Sequence, residues 1–266
     1  MIDDDIPFQA LEFMKGIALR AGDILLSYFR RDLKIDLKDP TTGQINIVTD
    51  ADHASEDFIL SEIKRKFPHH DILSEETISE RTGASWLWLI DPLDGTVNFA
   101  HGYPMFCVSM ALLKSKKVCA GLIYDPLRCE LFSAVEGSGA FLNDSPIRVS
   151  RSDTLKASIV ATGFPYDKGY DAENNLAEFA SVLPRVQGVR RSGSAAIDLA
   201  YVASGRLDGF WELKLKPWDM GAGMLLVEEA GGKVTNRAGQ STDVFTNVIV
   251  ATNGLIHDKL LLLLQR

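Results

Sequence analysis

Short apolar runs that stop at charged or turn-forming residues constrain the fold of this chain most strongly. The clearest run is residues 86–90, Trp-Leu-Trp-Leu-Ile, which ends abruptly at Asp91-Pro92. Three more runs of strand length follow at residues 107–113, 118–124 and 130–134, and short polar or Gly- and Pro-containing links separate them. Links this short favour antiparallel neighbours. The middle of the chain therefore predicts a meandering antiparallel sheet.

Helical periods precede this region. Apolar residues recur at steps of three and four near the N-terminus and form one stripe, which consists of Leu11, Met14, Ala18, Ala21, Leu25 and Phe29. A second helix is predicted after Asp52, because Ile59, Ile63 and Phe67 repeat at every fourth position and Pro68 ends the pattern. Residues 39–44 between the two patterns are rich in turn formers and predict a loop.

The C-terminal half alternates between strand and helix patterns. Strands are predicted at residues 158–162, 207–212 and 247–252, and helices at residues 172–183, 195–204, 221–230 and 256–265. Strand-rich and alternating segments together indicate layered α+β or α/β packing. A length of 266 residues corresponds to one large domain or two closely packed halves, about 1–150 and 151–266, and composition marks no linker between them.

Composition argues against several classes of protein. The chain has 28 basic and 36 acidic residues, a net charge of −8, which disfavours a nucleic-acid binder because such proteins neutralise phosphates with Lys and Arg. No apolar run approaches the ~18 residues of a membrane span, and the acidic N-terminus is unlike a signal peptide. The cysteines, Cys107, Cys119 and Cys129, have no metal or redox spacing and predict free thiols. We therefore expect a cytoplasmic protein without membrane or nucleic-acid partners.

The most informative motif is residues 91–96, Asp-Pro-Leu-Asp-Gly-Thr, directly after an apolar strand. Asp91 and Asp94 stand three apart across a bend fixed by proline, so both carboxylates can face one point. Gly95 permits close backbone approach to a ligand, and a helical turn starting near Thr96 would favour a bound anion. Carboxylates and anion-binding amides share a site when cations lie between them, and hard oxygen ligands suit Mg²⁺ or Mn²⁺. Two consecutive ordinary turns, Asp-Pro and Asp-Gly, are the alternative.

Other acidic residues stand at strand ends and helix starts. Glu75-Glu76 follows a short apolar step and is otherwise a solvated charge pair. Asp50 or Asp52 could be the N-cap of the second helix, and Asp219, after Pro217-Trp218, could simply complement a helix dipole. Each ordinary explanation is reasonable by itself, but their joint occurrence favours a common site.

Signatures of other enzyme classes are missing from the sequence. It contains no Gly-x-x-x-x-Gly-Lys-Ser/Thr phosphate loop, no complete dinucleotide fingerprint and no Gly-x-Ser-x-Gly elbow. The five histidines have no zinc spacing and are expected at the surface or at helix ends. Asp91 and Asp94 are separated by two residues, whereas phosphatases with an aspartate nucleophile use two Asp separated by one.

At these residues the sequence resembles the inositol monophosphatase family, from about residue 10 to the C-terminus. The family's long motif, Asp-Pro-(Ile/Leu)-Asp-Gly-Thr-x-Asn-Phe, is matched by residues 91–99. Its other motifs are matched by residues 48–52 (Val-Thr-Asp-Ala-Asp), 75–76 (Glu-Glu), 193–196 (Gly-Ser-Ala-Ala), 218–219 (Trp-Asp) and 229–232 (Glu-Ala-Gly-Gly). The resemblance implies a single domain over residues 1–266 with αβαβα layers.

The resemblance implies a metal centre. One ion is implied at Glu75, Asp91 and the backbone carbonyl of Leu93, a second at Asp91, Asp94 and Asp219, and a third, weaker one near Glu75. The expected ion is Mg²⁺, two to three per site, with Mn²⁺ as a possible substitute and Li⁺ as an inhibitor. The family lysine is not assigned, because the loop between Lys38 and Asp52 is longer than usual.

The resemblance also implies catalytic and substrate-binding residues. Thr96 and Glu75 are expected to act on the attacking water, with Asp52 bonded to Thr96, and the backbone amides of Gly95 and Thr96 to receive the phosphate. The remaining substrate contacts are expected at Asp94, Gly193, Ser194, Ala195, Glu212 and Asp219.

The function implied is Mg²⁺-dependent hydrolysis of a phosphate monoester, with myo-inositol 1-phosphate as the expected substrate and a homodimer as the expected assembly. A sugar bisphosphatase such as fructose-1,6-bisphosphatase, a nucleotide 3′-phosphatase or a histidinol phosphatase on the same scaffold is the alternative. Lys214 and Lys216 could then accept a second phosphate. A protein that keeps this fold but binds a macromolecular partner is the alternative from another class.

Overall fold

The computed structural model describes residues 5–38, 46–77 and 82–265, and the loop predicted at residues 39–44 lies outside these ranges. The helices within them are α1 (Ile6–Tyr28), α2 (Asp50–Lys66), α3 (Thr96–Ala100), α4 (Leu176–Val182), α5 (Ala195–Ala203), α6 (Pro217–Glu229) and α7 (His257–Leu264). No helix in the described ranges is both long and apolar enough to cross a membrane.

The strands form a two-stranded sheet and two larger sheets. The small sheet pairs β1 (Ile35–Leu37) with β2 (Ile47–Thr49). The other strands are β3 (Asp71–Ser74), β4 (Trp86–Asp94), β5 (Cys107–Lys114), β6 (Lys117–Asp125), β7 (Glu130–Val135), β8 (Ala140–Leu142), β9 (Ser145–Ile147), β10 (Ile159–Thr162), β11 (Gly188–Arg190), β12 (Gly209–Leu213), β13 (Lys233–Thr235) and β14 (Val248–Thr252).

The first large sheet has seven strands in chain order, β3 to β9. The pairs from β4 to β9 are antiparallel, which confirms the predicted meander, whereas β3 runs parallel to β4. Strand β4 is buried on both faces: Trp88 and Ile90 pack with α1 and α2, and Leu87 and Leu89 pack with α5 and α6. This two-sided burial explains why residues 86–90 are uninterruptedly apolar, since successive side chains of a strand point to opposite faces.

The second large sheet has the order β11-β10-β12-β14-β13, with parallel and antiparallel pairs. Its residues also alternate between faces: Phe210 and Ala251 join the core formed with α5 and α6, whereas Trp211 and Val250 pack with α7. The layers are therefore α1–α2, the seven-stranded sheet, α5–α6, the five-stranded sheet and α4–α7. This confirms the αβαβα architecture.

Helix α6 approaches the seven-stranded sheet closely because it carries glycine where the two meet. A Cβ atom on Gly221 would lie 2.9 Å from Cδ1 of Leu89 and 3.2 Å from Cβ of Ala111. The small, apolar sequence of this helix therefore reflects close packing in the middle layer. The helix begins at Pro217, one turn before the segment 221–230 that hydropathy marked.

The prediction of a helix at residues 172–183 was too long. Helix α4 begins only at Leu176, because Asn175 adopts a left-handed conformation with φ of 67°. The buried side chain of Asn175 accepts a hydrogen bond from Trp211 Nε1 at 2.7 Å and donates one to the Gly163 carbonyl at 2.6 Å. A tertiary requirement for these polar contacts therefore fixes the start of the helix.

The prediction that histidines lie at the surface or at helix ends was wrong in one respect for His257. It stands at the start of α7, but its side chain is fully buried between Thr235 and Thr252, whose hydroxyls lie 2.9 Å from Nε2 and Nδ1 respectively. Burial, assisted by the positive charge of Lys233, lowers the pKa of His257 from 6.5 to about 4. The folded protein therefore holds this imidazole neutral.

This burial predicts a loss of stability in mild acid. Between pH 6.5 and about 4 the unfolded chain protonates His257 and the folded chain does not, so the free energy of unfolding should fall by up to about 3 kcal/mol as the pH is lowered through that window. Urea unfolding from pH 7.5 to 4.5 should show a shallower pH dependence for His257→Gln than for wild type. His101→Gln, at an exposed histidine, is the control variant. Equal slopes for all three proteins would contradict the prediction.

Candidate active site

Residues 91–94 of the motif form the end of β4, so the alternative of an ordinary turn at Asp91-Pro92 is wrong. The strand continues to Asp94, with Asp91 paired to Ser109 and Asp94 paired to Cys107, so that one extra residue on β4 makes a bulge. A bulge is one of the few places where a strand inside a sheet accommodates proline. The bulge re-aims the chain so that both aspartates stand at the carboxyl end of β4.

The turn follows at Gly95, whose φ is 94°. A Cβ atom there would lie 2.8 Å from the carbonyl oxygen of Met105, so no larger residue fits without moving the backbone. Thr96 then begins the short helix α3, with its hydroxyl 3.0 Å from the Leu93 carbonyl and 3.0 Å from Asp52 Oδ1.

Helix α2 brings Asp52 to Thr96, but neither Asp50 nor Asp52 is its N-cap. Thr49 is the N-cap: its hydroxyl accepts a hydrogen bond from Ala51 N. Asp52 completes a capping box, because its Oδ2 accepts from Thr49 N at 2.8 Å. Burial raises the pKa of Asp52, and the hydrogen bonds from Thr49 oppose this rise. The predicted Asp52–Thr96 contact is present.

Glu75 and Asp91 meet because β3 and β4 are parallel. Ser74 pairs with Ile90, so the next residues of the two chains, Glu75 and Asp91, lie side by side. The Glu75 N–H donates to the Ile90 carbonyl at 3.2 Å and so keeps the two chains side by side. The carboxyl ends of parallel strands are the usual location of ligand sites in such sheets.

The remaining two carboxylates stand at the starts of α5 and α6. Asp94 Oδ2 accepts hydrogen bonds from the Ser194 hydroxyl at 2.6 Å and from Ala196 N at 2.7 Å, so the segment 193–196 adjoins the motif, as the resemblance implied. Asp219 lies in the first turn of α6 and accepts from Lys216 N at 2.7 Å. The charges of both aspartates thus face backbone N–H groups at helix N-termini, where negative charge is favoured.

These four carboxylates interact strongly. Asp91 is 1% exposed, and its pKa is raised well above the usual range by burial and then by the charges of Glu75, Asp94 and Asp219. Burial is also the main cause that raises the pKa of Asp219, and it raises that of Asp94 to about 6 against the hydrogen bond from Ser194. The group carries more negative charge than its surroundings compensate.

Lys38, which the sequence pattern left unassigned, supplies a positive charge beside this group. Its ammonium contacts Glu75 at 2.5 Å and also pairs with Glu76. Burial disfavours the charge on Lys38, but the two glutamates outweigh burial and raise its pKa. Burial raises the pKa of Glu76 to about 7 in spite of Lys38.

The donor set suits a hard divalent cation, because it consists of one buried and three half-buried carboxylates whose mutual repulsion a cation would relieve. As the side chains stand, however, no three His, Cys, Asp or Glu residues in the described ranges form a group that could hold a metal ion. Internal donors engage their oxygens: Lys38 bonds to Glu75, Ser194 to Asp94, and Lys216 N to Asp219. Lys38 contacts Glu75 through Oε1, so this ammonium does not engage the other carboxylate oxygen.

Glu212 lies on β12, in the second large sheet. A Cβ atom on Gly163 would fall within 2.2 Å of the Glu212 carboxylate, so glycine at that position makes room for it. Burial raises the pKa of Glu212 well above the usual range, and Arg191 opposes this rise, whereas Asp198, Asp219 and Asp94 add to it. These effects place Glu212 near two of the predicted metal ligands.

Tyr166 was not predicted as a site residue. Burial and then the charge of Glu75 raise the pKa of its phenol, so the phenol lies near the carboxylates, while the residue as a whole is 47% exposed. The sequence offers no signal for this, because the loop after β10 reaches the site only through the packing of the second sheet.

Comparison with known proteins assigns the family. The sequence matches the inositol monophosphatase family over residues 9–266. An inositol-1-monophosphatase from Synechocystis sp. is 45% identical over 251 residues, which cover 94% of this chain and 86% of the relative. The solved inositol monophosphatase of Anabaena (Nostoc) sp. is 46% identical, with a TM-score of 0.86 and coverage of 96% of this chain and 95% of that one.

A protein named Nus factor SuhB from Pseudomonas aeruginosa is 40% identical over 261 residues, covering 95% of this chain and 96% of the relative. The match over nearly the whole chain, together with the αβαβα layers, settles the classification. The chain belongs to the inositol monophosphatase family, whose members are phosphoric monoester hydrolases.

Proposed function

We propose that this protein hydrolyses myo-inositol 1-phosphate to myo-inositol and phosphate with the help of Mg²⁺. The observation that carries the proposal is the convergence of Glu75, Asp91, Asp94 and Asp219 at the carboxyl end of β4, beside the Thr96–Asp52 pair. Metal dependence and lithium sensitivity are typical of the family, and the relatives named inositol-1-monophosphatase support the choice of substrate.

In this proposal Glu75, Asp91, the Leu93 carbonyl, Asp94 and Asp219 hold Mg²⁺, two to three ions per site, with Mn²⁺ as a substitute. Mg²⁺ bound there would neutralise phosphate charge and lower the pKa of a coordinated water. Phosphoryl transfer needs chiefly positioning and charge compensation, and no covalent intermediate is required. The chain's own residues therefore serve to hold and orient the reacting groups.

Thr96 and Glu75 act on the attacking water. The Glu75 carboxylate accepts its proton, and the Thr96 hydroxyl fixes its direction, because Asp52 holds that hydroxyl at 3.0 Å. Asp52 is itself fixed by two hydrogen bonds from Thr49, so the direction is set by the start of α2. Lys38 holds Oε1 of Glu75, which leaves the second carboxylate oxygen to face the water or a cation.

The substrate is proposed to bind between the motif and α5. The backbone N–H groups of Gly95 and Thr96 receive the phosphate, with Asp94 and Asp219 beside it. The hydroxyls of the polyol meet the wall formed by Gly193, Ser194, Ala195 and Glu212. The contact between Ser194 and Asp94 supports this, because it brings that wall to within hydrogen-bond distance of the motif.

A substrate with a second phosphate is less well supported. Lys214, which could have bound one, is paired with Asp167 at 2.7 Å and Asp171 at 2.8 Å, so its charge is already compensated. The other candidate function is binding to a macromolecular partner, which the relatives named Nus factor favour. The four carboxylates of the site, Glu75, Asp91, Asp94 and Asp219, support catalysis in either case.

The first experiment measures phosphate release from a panel of phosphomonoesters with and without Mg²⁺.

The proposal includes a cytoplasmic location, which is supported by three free cysteines. It also includes a symmetric homodimer, since two-fold pairs are the commonest soluble homo-oligomers. Light scattering should therefore give about twice the chain mass of 29.3 kDa. A mass near that of one chain at working concentration would rule the dimer out.

The metal assignment predicts that Asp91→Asn lowers kcat by about a thousandfold or more, because the amide cannot balance cation charge. Asp125→Asn is a matched control: Asp125 is also 1% exposed, ends strand β6 and precedes a proline, but it pairs with Arg128 away from the cluster. The control should lose stability and keep turnover. Near-normal turnover of folded Asp91→Asn would reject the assignment.

The substrate assignment predicts that Glu212→Gln impairs inositol phosphate more than an aryl phosphate that has no hydroxyls. A carboxylate repels phosphate but accepts hydrogen bonds from hydroxyls, and such bonds are worth roughly 1.5–3 kcal/mol, so the ratio of kcat/KM values should change about ten- to a hundredfold. Steady-state kinetics on both substrates measures this ratio. An equal loss on both would show that Glu212 supports the cluster and does not recognise hydroxyls.

A further inference from the structure

One face of α2 contacts three consecutive parts of the candidate site. Asp52 accepts from Thr96, as described above. One turn later, the Ser55 hydroxyl donates to the Pro92 carbonyl at 2.9 Å, inside the bulge of β4. Glu56, four residues after Asp52 and therefore on the same side of the helix, contacts the segment that contains Glu75.

Glu56 is a buried carboxylate, 1% exposed, and its hydrogen-bond donors among the described residues all belong to the segment around Glu75. Its Oε1 accepts from the Ser74 hydroxyl, from Glu76 N at 3.1 Å and from Thr77 N at 3.2 Å. Its Oε2 accepts from the Thr77 hydroxyl at 2.5 Å. The residues on both sides of Glu75 are therefore tied to one side chain of α2.

These contacts fix a segment that the sheet no longer holds. Strand β3 ends at Ser74, and Glu75 keeps one backbone bond to β4, through its N–H and the Ile90 carbonyl. Beyond that point the structure supplies Glu56 in place of a strand partner for the N–H groups of Glu76 and Thr77. Without this carboxylate, the N–H groups of Glu76 and Thr77 and the Thr77 hydroxyl would lose this acceptor, and the Ser74 hydroxyl would keep its longer contact with the Ile90 carbonyl, at 3.5 Å.

We propose that Glu56 is a positioning residue, which fixes the Glu75 carboxylate relative to Asp91 and Thr96. The inference rests on the proposed function, in which Glu75 accepts the proton of the attacking water and holds a cation. Helix α2 then positions both residues that act on the water: Asp52 orients Thr96, and Glu56 orients Glu75.

Asp71, at the other end of β3, is a natural comparison. It is 5% exposed and likewise holds a chain segment, because it accepts from Thr82 N at 3.0 Å, Thr82 Oγ1 at 2.7 Å, Gly83 N at 3.0 Å and Ala84 N at 3.1 Å. The two carboxylates perform the same structural task at opposite ends of one four-residue strand. Only Glu56 does so beside the candidate site.

The test compares Glu56→Ala, Glu56→Gln and Asp71→Ala in the full-length protein. Each is measured for kcat and KM on an aryl phosphate with Mg²⁺, for Mn²⁺ affinity from the electron paramagnetic resonance of free Mn²⁺, and for urea unfolding. Groups that orient a metal ligand typically contribute about ten- to a hundredfold to metal affinity or activity. Glu56→Ala should therefore lose kcat and Mn²⁺ affinity by about these factors, with KM changed less than about threefold.

Glu56→Gln should restore most of both quantities, because its carbonyl oxygen can accept from Ser74, Glu76 N and Thr77 N while its amide donates to Thr77 Oγ1. Asp71→Ala should lose stability and keep kcat and Mn²⁺ affinity. If Glu56→Ala does not fold, Thr77→Val removes the contact at 2.5 Å and should lower kcat about three- to tenfold.

Unchanged kcat and Mn²⁺ affinity in Glu56→Ala, or equal losses in Asp71→Ala, would overturn the inference. Glu75→Gln separates this failure from failure of the proposed function. If Glu75→Gln is inactive while Glu56→Ala is fully active, only the positioning role is wrong. If Glu75→Gln itself turns over normally, the proposed function is wrong.

Discussion

Repulsion among closely spaced carboxylates is the constraint on which the rest of the site depends. Glu75, Asp91, Asp94 and Asp219 come from three separate segments, and in addition to burial the charge of Glu75 raises the pKa of each of the three aspartates. Such a group stays together only if donors and positive potential offset its charge. Lys38 provides one charge, and the first turns of α5 and α6 direct backbone N–H groups at Asp94 and Asp219.

The layered architecture explains how three helix N-termini reach one point. Strand β4 is in the interior of the molecule, with α1 and α2 on one face and α5 and α6 on the other. Helices α2, α5 and α6 all begin near its carboxyl end, where the contacts of Asp52, Asp94 and Asp219 lie. The Ser109 hydroxyl, which donates to the Trp218 carbonyl at 3.3 Å, ties the start of α6 to the sheet beside Asp91. The same packing that buries the strand therefore assembles the site.

The inner strands and the long helices were predictable because their side chains report their surroundings directly. Residues 86–90 are apolar at every position since both faces of β4 are covered, and the stripe of α1 faces one core. Short elements at the edges were missed: β11, β13 and the hairpin of β8 and β9 have three residues each, too few to establish a period. In that hairpin Asn143 and Asp144, with φ of 47° and 61°, form the two-residue turn between the strands.

By itself the sequence indicated the chemical type of the site. The acidic motif at residues 91–94 and the acidic residues Asp52, Glu75 and Asp219 can be recognised from residue type and order alone. Its strand-rich and alternating segments also indicated layered packing of helices and sheets, and the resemblance to the family implied the αβαβα order of the layers. Only the tertiary structure decided that β4 continues through Pro92 as a bulge, that Thr49 caps α2, and that Lys38 pairs with Glu75. These features depend on which distant groups become neighbours, and the free energy of a buried charge is set by those neighbours and not by its own residue type.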